Sequence, residues 1–348
     1  MVINTQVRRC LSLVLLLLTV WMVSVAQAAD PAESAATRVT EPGIDLWDAV
    51  RGRDGVDAGQ VRTQVRGVDS TVLINAGGED WREYRMDLLI PNAAMILGGV
   101  ALAILLFRLI RGKIRIRAGR SRYKIKRFNG FQRFIHWTTA ILFVLLALTG
   151  MALLFGRFIV IPNFGPEAGG TFMFLSKRIH DFAGPAFAVA LVLLVLAFIK
   201  GNFPQASDLK WLLKGGGLIG KGHVSAGRYN AGEKGWYWIA AIGGAFVVGS
   251  GLVLLFPNFG QSRDVMWFYH LIHSLGAVGI MAAAMGHIYM GTIAMEGAFE
   301  AMATGYCDAN WAKEHHDIWY EKVKDQAVLD SEVASTDEVV TPQQPKAV

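Results

Sequence analysis

Five apolar stretches punctuate this 348-residue chain, at about 88–109, 134–156, 181–200, 236–257 and 268–292. Each is about 20 residues long, which is the length at which a helix crosses the hydrocarbon core of a bilayer. A backbone inside lipid must satisfy its own hydrogen bonds, so these stretches constrain the fold to membrane-spanning helices. Hydrophobic residues make up 53% of the chain and charged residues 18%. That balance belongs to an integral membrane protein rather than to two or three soluble domains. The expected fold class is all-α integral membrane.

Charge gives the orientation. A net charge of +6 in a soluble protein points to nucleic acid, but here the Lys and Arg gather in particular loops, so no nucleic-acid partner is expected. The basic loop 110–133 holds Arg111, Lys113, Arg115, Arg117, Arg120, Arg122, Lys124, Lys126, Arg127 and Arg133, with no acid. Cytoplasmic loops carry such an excess. The loop 201–235 has Lys210, Lys214, Lys221, Arg228 and Lys234 against Asp208 and Glu233 and falls on the same side. The loops near 157–180 and 258–267 carry few charges and fall outside. The tail 301–348 is then cytoplasmic, with Ser331 to Val348 polar and expected to lack order. The bacterial inner membrane is the expected location.

Residues 1–28 read as a signal peptide: Arg8 and Arg9, an apolar run from Leu11 to Val25, then Ala26-Gln27-Ala28 as a cleavage site. An exported polar segment follows at 29–87. Its last part, with Trp81, Arg82, Tyr84 and Arg85, suits a membrane interface. Cys10 and Cys307 are the only cysteines, so neither a disulfide framework nor an iron–sulfur cluster is expected in this chain. A metal would have to be held by histidine.

His273 and His287 lie on one apolar span. Fourteen residues rise about 21 Å and close to within about 40° of whole turns, so both imidazoles share a face while lying near opposite membrane surfaces. Ionisable groups at membrane depth are costly and mark functional sites. His136 begins the second span near the inner surface, and His180 begins the third near the outer surface. Two pairs follow, His180 with His273 outside and His136 with His287 inside, each joining two helices at one level. That is the arrangement for two b-type haems with imidazole on both sides of each iron. His270 competes with His273 but sits about 100° off the face of His287. His223, His315 and His316 are expected on solvated or partner-facing surface. Gly150, Gly184, Gly276 and Gly286 would either let a flat macrocycle approach or serve ordinary helix packing. Arg133, Lys177 and Arg178, next to the ligand ends, would either pair with haem propionates or anchor the interface.

The segment from Gly227 to Gly235 precedes the fourth span. Arg228, Tyr229, Asn230, Glu233 and Lys234 offer polar groups where a quinone could meet both a haem and water. Physics alone favours a helix cap there, since Asn is a good capping residue.

Several motifs in order resemble a known family. They are Arg127-Phe128 with Arg133-Phe134-Ile135-His136-Trp137, Lys177 through Pro185 around His180, Arg228 through Lys234, Leu271-Ile272-His273-Ser274, Gly286-His287-Ile288-Tyr289-Met290, and the tail run from Trp311 to Tyr320. Together, over about 123–325, they resemble the cytochrome b556 (gamma) subunit of respiratory formate dehydrogenase. The resemblance implies a four-helix di-haem bundle over 134–300; the chain departs from the shorter four-helix members by its signal peptide, its exported segment and an extra N-terminal transmembrane helix at 88–109. It implies two haem b, held by His180 and His273 on the outer side and His136 and His287 on the inner. It also implies menaquinone or ubiquinone reduced near Asn230, Gly232 and His287. The implied partners are an iron–sulfur beta subunit and a molybdopterin alpha subunit, besides membrane lipid. The expected role is electron transfer within a formate dehydrogenase complex, with no formate-oxidising site in this chain. The rival readings are the cytochrome b of a nickel–iron hydrogenase or of another quinone-linked dehydrogenase, and a transporter or simple anchor, for which the inverted repeats of a transporter are not visible.

Overall fold

A computed structural model describes residues 76–217 and 224–333. The signal peptide, residues 29–75 of the exported segment, His223 and residues 334–348 of the tail lie outside the described residues. Five helical segments are long and apolar enough to cross a membrane: Asp80–Arg111, Gly130–Phe155, Val160–Phe198, Ala231–Leu255 and Asp264–Ala294. The protein is a multi-pass membrane protein.

The chain divides into two compact units. In one, which pairs the residues up to Leu89 with Val253–Leu271, helix α1 (Ala76–Glu83) runs into a π-helical turn at Tyr84–Leu89. The indole of Trp81 stacks on Tyr84 at 6.0 Å and meets Trp267 at 6.4 Å and His270 at 5.5 Å. These aromatics suit a membrane–water boundary, where an apolar ring with a polar edge is stable.

The other unit, Ile90–Leu252 with Ile272 onward, holds the rest. Helix α2 (Ile90–Arg111) is followed by strand β1 (Tyr123–Lys126) and by α3 (Gly130–Phe198). Asn129 starts α3 with a capping box: its side chain accepts from Gln132 N–H at 2.8 Å, and the Gln132 side chain accepts from Asn129 N–H at 3.2 Å. Two arms of α3 meet at Gly165, whose φ of 78° and ψ of 167° are non-helical; a glycine tolerates that φ, and Pro166 helps end the first arm. The stretch 157–180, expected as a loop, is therefore mostly helical, and His180 sits well inside the second arm. After α4 (Ala206–Leu213), the fourth span is α5 (Ala231–Trp238), a π-helical turn at Ile239–Gly243, and α6 (Gly244–Leu255). The fifth is α7 (Arg263–Tyr289), ending in another π-helical turn at Met290–Ala294.

The spans turn large side chains outward. Phe134, Ile141, Leu148, Phe182 and Val189 are exposed, while Thr139, Thr149, Ala183, Ala190, Ser250 and Ala284 are buried. Lipid is as apolar as leucine, so small residues that let helices approach are favoured inside.

The basic loop and the tail fold together into a cap. Helix α8 (Glu300–Thr304), strand β2 (Tyr306–Asp308), α9 (Ala309–His315), α10 (Asp317–Val323) and strand β3 (Val328–Leu329) follow in order. The three strands form an antiparallel sheet in the order β2-β1-β3, with Ile125 opposite Cys307 and Lys124 opposite Val328. This small sheet was not anticipated in a basic loop and a polar tail. Its core is Ile116, Ile125, Phe128, Cys307, Trp311, Ala312 and Trp319, continuous with Tyr229 and Tyr237. Gly305, at φ 93°, is required there: its carbonyl accepts from Arg127 N–H at 2.8 Å, and a Cβ would stand 2.9 Å from the Phe128 oxygen.

Candidate haem and quinone site

The four span histidines meet in two pairs. The rings of His180, on the second arm of α3, and His273, on α7, lie 6.0 Å apart. Those of His136, on the first arm of α3, and His287, fourteen residues further along α7, lie 6.3 Å apart. The second pair is on the cap side, since Arg133, three residues before His136, donates from Nε to the Met302 oxygen at 3.4 Å and from Nη2 to Ala303. His270 packs on Trp81 instead.

Neighbouring helices receive the first pair alike. The Thr149 hydroxyl donates to the Leu145 oxygen at 2.8 Å, leaving a lone pair for His180 Nδ1–H at 2.9 Å. His273 Nδ1–H donates to the Val247 oxygen at 2.9 Å, with Ser250 Oγ 3.3 Å away. A glycine follows each hydroxyl. A Cβ at Gly150 would stand 3.4 Å from His180 Cε1, and one at Gly251 would stand 3.0 Å from His273 Cε1. So Gly150 seats an imidazole and Gly276 packs against Val247, while Gly184 and Gly286 face open space. With Nδ1 protonated, Nε2 of each ring has its lone pair free.

The cap-side pair differs. His136 Nδ1 is buried without a hydrogen-bond partner among the described residues. Trp236 lies flat on His287, with ring centres 4.6 Å apart and planes at 13°. This tryptophan, on α5, joins the segment from Gly227 to Gly235 to the cap-side end of α7, and nothing in the sequence pattern marks it. Asn230 caps α5 as physics alone suggested: its side chain accepts from Glu233 N–H at 2.9 Å, and Glu233 accepts from Asn230 N–H at 3.0 Å. Gly232 is exposed, and a Cβ there would stand 3.1 Å from the Trp211 ring.

Beneath this segment, Arg127 Nη2 donates to Glu233 at 3.0 and 3.1 Å, to the Arg228 oxygen at 2.8 Å and to His316 Nε2 at 3.3 Å. His316 Nδ1–H donates to the Gly227 oxygen at 2.9 Å. His316 is 0% exposed, which corrects the expectation of a solvated or partner-facing position. Burial first, and then the Arg127 charge, push its pKa down to about 3, so the ring is neutral. It fills the cap because both nitrogens find partners there. His315 packs beside Trp311 at 5.5 Å. Lys177 pairs with Asp181 at 2.5 Å, and Arg178 lies over Phe174.

The match to a family model decides what kind of protein this is: the model described as prokaryotic cytochrome b561 covers residues 127–305. This chain belongs to the prokaryotic cytochrome b561 family. The cytochrome is also similar to the formate dehydrogenase cytochrome b556(fdo) subunit of Escherichia coli K12, 30% identical over 203 residues, 58% of this chain and 93% of that one. It is 31% identical over 216 residues to the nitrate-inducible formate dehydrogenase cytochrome b556(Fdn) subunit of the same organism, covering 60% of this chain and 96% of that one. A formate dehydrogenase cytochrome b556 subunit of Haemophilus influenzae is 29% identical over 196 residues, 54% of this chain and 79% of that one.

Membership of a b-type cytochrome family implies haem b, and the residues fit it. A metal ion between two imidazole nitrogens, each about 2.0–2.1 Å away, separates the ring centres by about 6 Å. The two pairs measure 6.0 and 6.3 Å.

Proposed function

We propose that this cytochrome is the membrane subunit of a formate dehydrogenase complex and carries electrons across the bilayer to quinone. Two imidazole pairs, stacked along α7 at the separation an iron requires, carry this reading. The likeness to formate dehydrogenase cytochrome b556 subunits supports the choice of complex. His180 and His273 hold one haem b near the outer surface, and His136 and His287 hold the other near the cytoplasm. Bound haem supplies one-electron storage at each level, and imidazole on both sides closes the coordination sites that oxygen would need.

The partners are an iron–sulfur subunit that delivers electrons at the outer face and a molybdopterin subunit that oxidises formate. Menaquinone or ubiquinone takes two electrons and two protons beside His287, within reach of Asn230 and Gly232. Trp236 bridges that segment to His287, and Glu233, partly open to water, supplies a route for protons from the cytoplasm. The excess of basic side chains in the loop 110–133 supports a cytoplasmic cap. With protons taken up inside and formate oxidised outside, turnover builds the membrane potential.

The test is the reduced spectrum and pyridine haemochrome of the purified full chain. Two b-type haems per chain are expected, falling to one in His287→Ala. A haem-free stable protein, or an unchanged haem count in that variant, overturns the haem assignment. A co-purifying molybdopterin subunit is expected; a nickel–iron hydrogenase large subunit in its place overturns the choice of complex.

A further inference from the structure

The two histidine pairs differ in what holds their second nitrogens. At the pair far from the cap, both Nδ1–H groups donate to oxygen: His180 to Thr149 Oγ1 at 2.9 Å and His273 to the Val247 carbonyl at 2.9 Å. At the cap-side pair neither ring has such an acceptor among the described residues. His136 Nδ1 is buried and unpartnered, and His287 has the Trp236 indole stacked on its face. An imidazole that donates its remaining N–H gains anionic character and becomes a more basic ligand, and its orientation is fixed as well. A more basic ligand favours ferric over ferrous iron, and hydrogen bonding around a haem is one of the protein's levers on its reduction potential. A stacked indole fixes a ring plane without adding that basicity.

We infer that Thr149 and the Val247 carbonyl set the haem at the His180/His273 level to a lower reduction potential than the haem at the His136/His287 level, and that Trp236 orients His287. Thr149 and Trp236 are positioning residues, acting through the imidazoles they touch. The arrangement makes each one-electron transfer between the levels favourable toward the cap side, where the quinone segment lies. This rests on the reading that each pair holds a haem. The built asymmetry is independent of that reading: a hydroxyl–glycine pair, Thr149-Gly150 or Ser250-Gly251, meets each histidine on one level and, among the described residues, neither on the other.

The experiment is a redox titration of the purified full chain, followed optically and by electron paramagnetic resonance of the oxidised haems. Two midpoints are expected. Thr149→Val should raise the lower midpoint and leave the higher one in place, and Thr149→Ser, which keeps the hydroxyl, should restore it. Trp236→Phe should shift the low-field resonance of the higher-potential haem alone. If Thr149→Val moves neither midpoint, or only the higher, the inference is overturned. Should that variant fail to assemble, Trp236→Phe decides from the other side, and a shift confined to the lower-potential haem overturns it equally. Haem content measured on the same samples keeps the two questions apart. Two haems with unmoved midpoints defeat this inference alone, whereas absence of haem defeats the proposed function.

Discussion

The spans and the cap bury opposite things. In the spans, phenylalanine, leucine and isoleucine face outward while threonine, serine, alanine and four histidines face one another. In the cap, Ile125, Trp311, Cys307 and Trp319 face inward and the charged side chains ring them. The difference is one of solvent. Water drives apolar surface together, so the cap acquires a core of the ordinary soluble kind. Lipid supplies no such drive, so the spans meet through small and polar residues and leave their bulk to the acyl chains. Buried charge is paired in both: Arg127 in the cap donates to Glu233 at 3.0 Å, and Lys234, buried at the start of the fourth span, donates to Asp208 at 2.9 Å.

The sharpest way to break this comparison is to truncate large side chains on each side of it. Trp311→Ala should cost about 3–5 kcal/mol and Ile125→Ala about 2–5 kcal/mol, because both leave cavities in a packed core. Thermal unfolding in detergent, followed by circular dichroism, measures this; a loss near zero would mean that the cap has no core. Gly251→Ala should cost about 1–3 kcal/mol through overpacking, since the new Cβ stands 3.0 Å from His273 Cε1 and 3.2 Å from its Nδ1. The same variant should displace His273 from the Val247 oxygen.

The pH dependence of His316 sharpens the cap side. Its folded pKa, about 3, lies below the ordinary value of 6.5. Between those values the unfolded chain binds a proton that the folded chain does not. The stability held by neutral His316 is therefore complete above about pH 6.5 and is lost as the pH falls toward 3. His316→Asn should flatten the acid slope of the melting temperature, and an unchanged slope would remove His316 as the cause. The smallest effect is expected at Ile141, 67% exposed on a span, where Ile141→Ala should stay within about 0.5 kcal/mol. A cost comparable to that of Ile125→Ala would show that Ile141 is packed against protein rather than lipid.

Much of the site was legible because depth follows from topology. Charge bias ordered the loops, the loops ordered the helix directions, and the directions put His180 level with His273 and His136 level with His287. The glycines were read in outline, although Gly150 seats an imidazole and Gly276 serves packing. Trp236 and Thr149 were not legible. A tryptophan near a helix start reads as an interfacial anchor, and a threonine in an apolar span reads as a satisfied hydroxyl. Only the crossing of α5 against α7, and the return of α3 on itself, bring them to a histidine. His316 was misread for a similar reason: a histidine in a charged run looks solvated until Arg127 and the Gly227 carbonyl close around it.

The sequence by itself determined that this chain crosses a membrane, how many described spans it has and which histidines pair across them. Those properties depend on hydropathy and charge along the chain, which are additive and local. The tertiary structure decided that a basic loop and a polar tail form one sheet-bearing cap, and that the two histidine pairs have different neighbours. Such features rest on contacts between residues far apart along the chain, as between Arg127 and His316 at a separation of 189. No local pattern encodes them, because each side chain satisfies its hydrogen bonds only after the helices that carry its partner have packed.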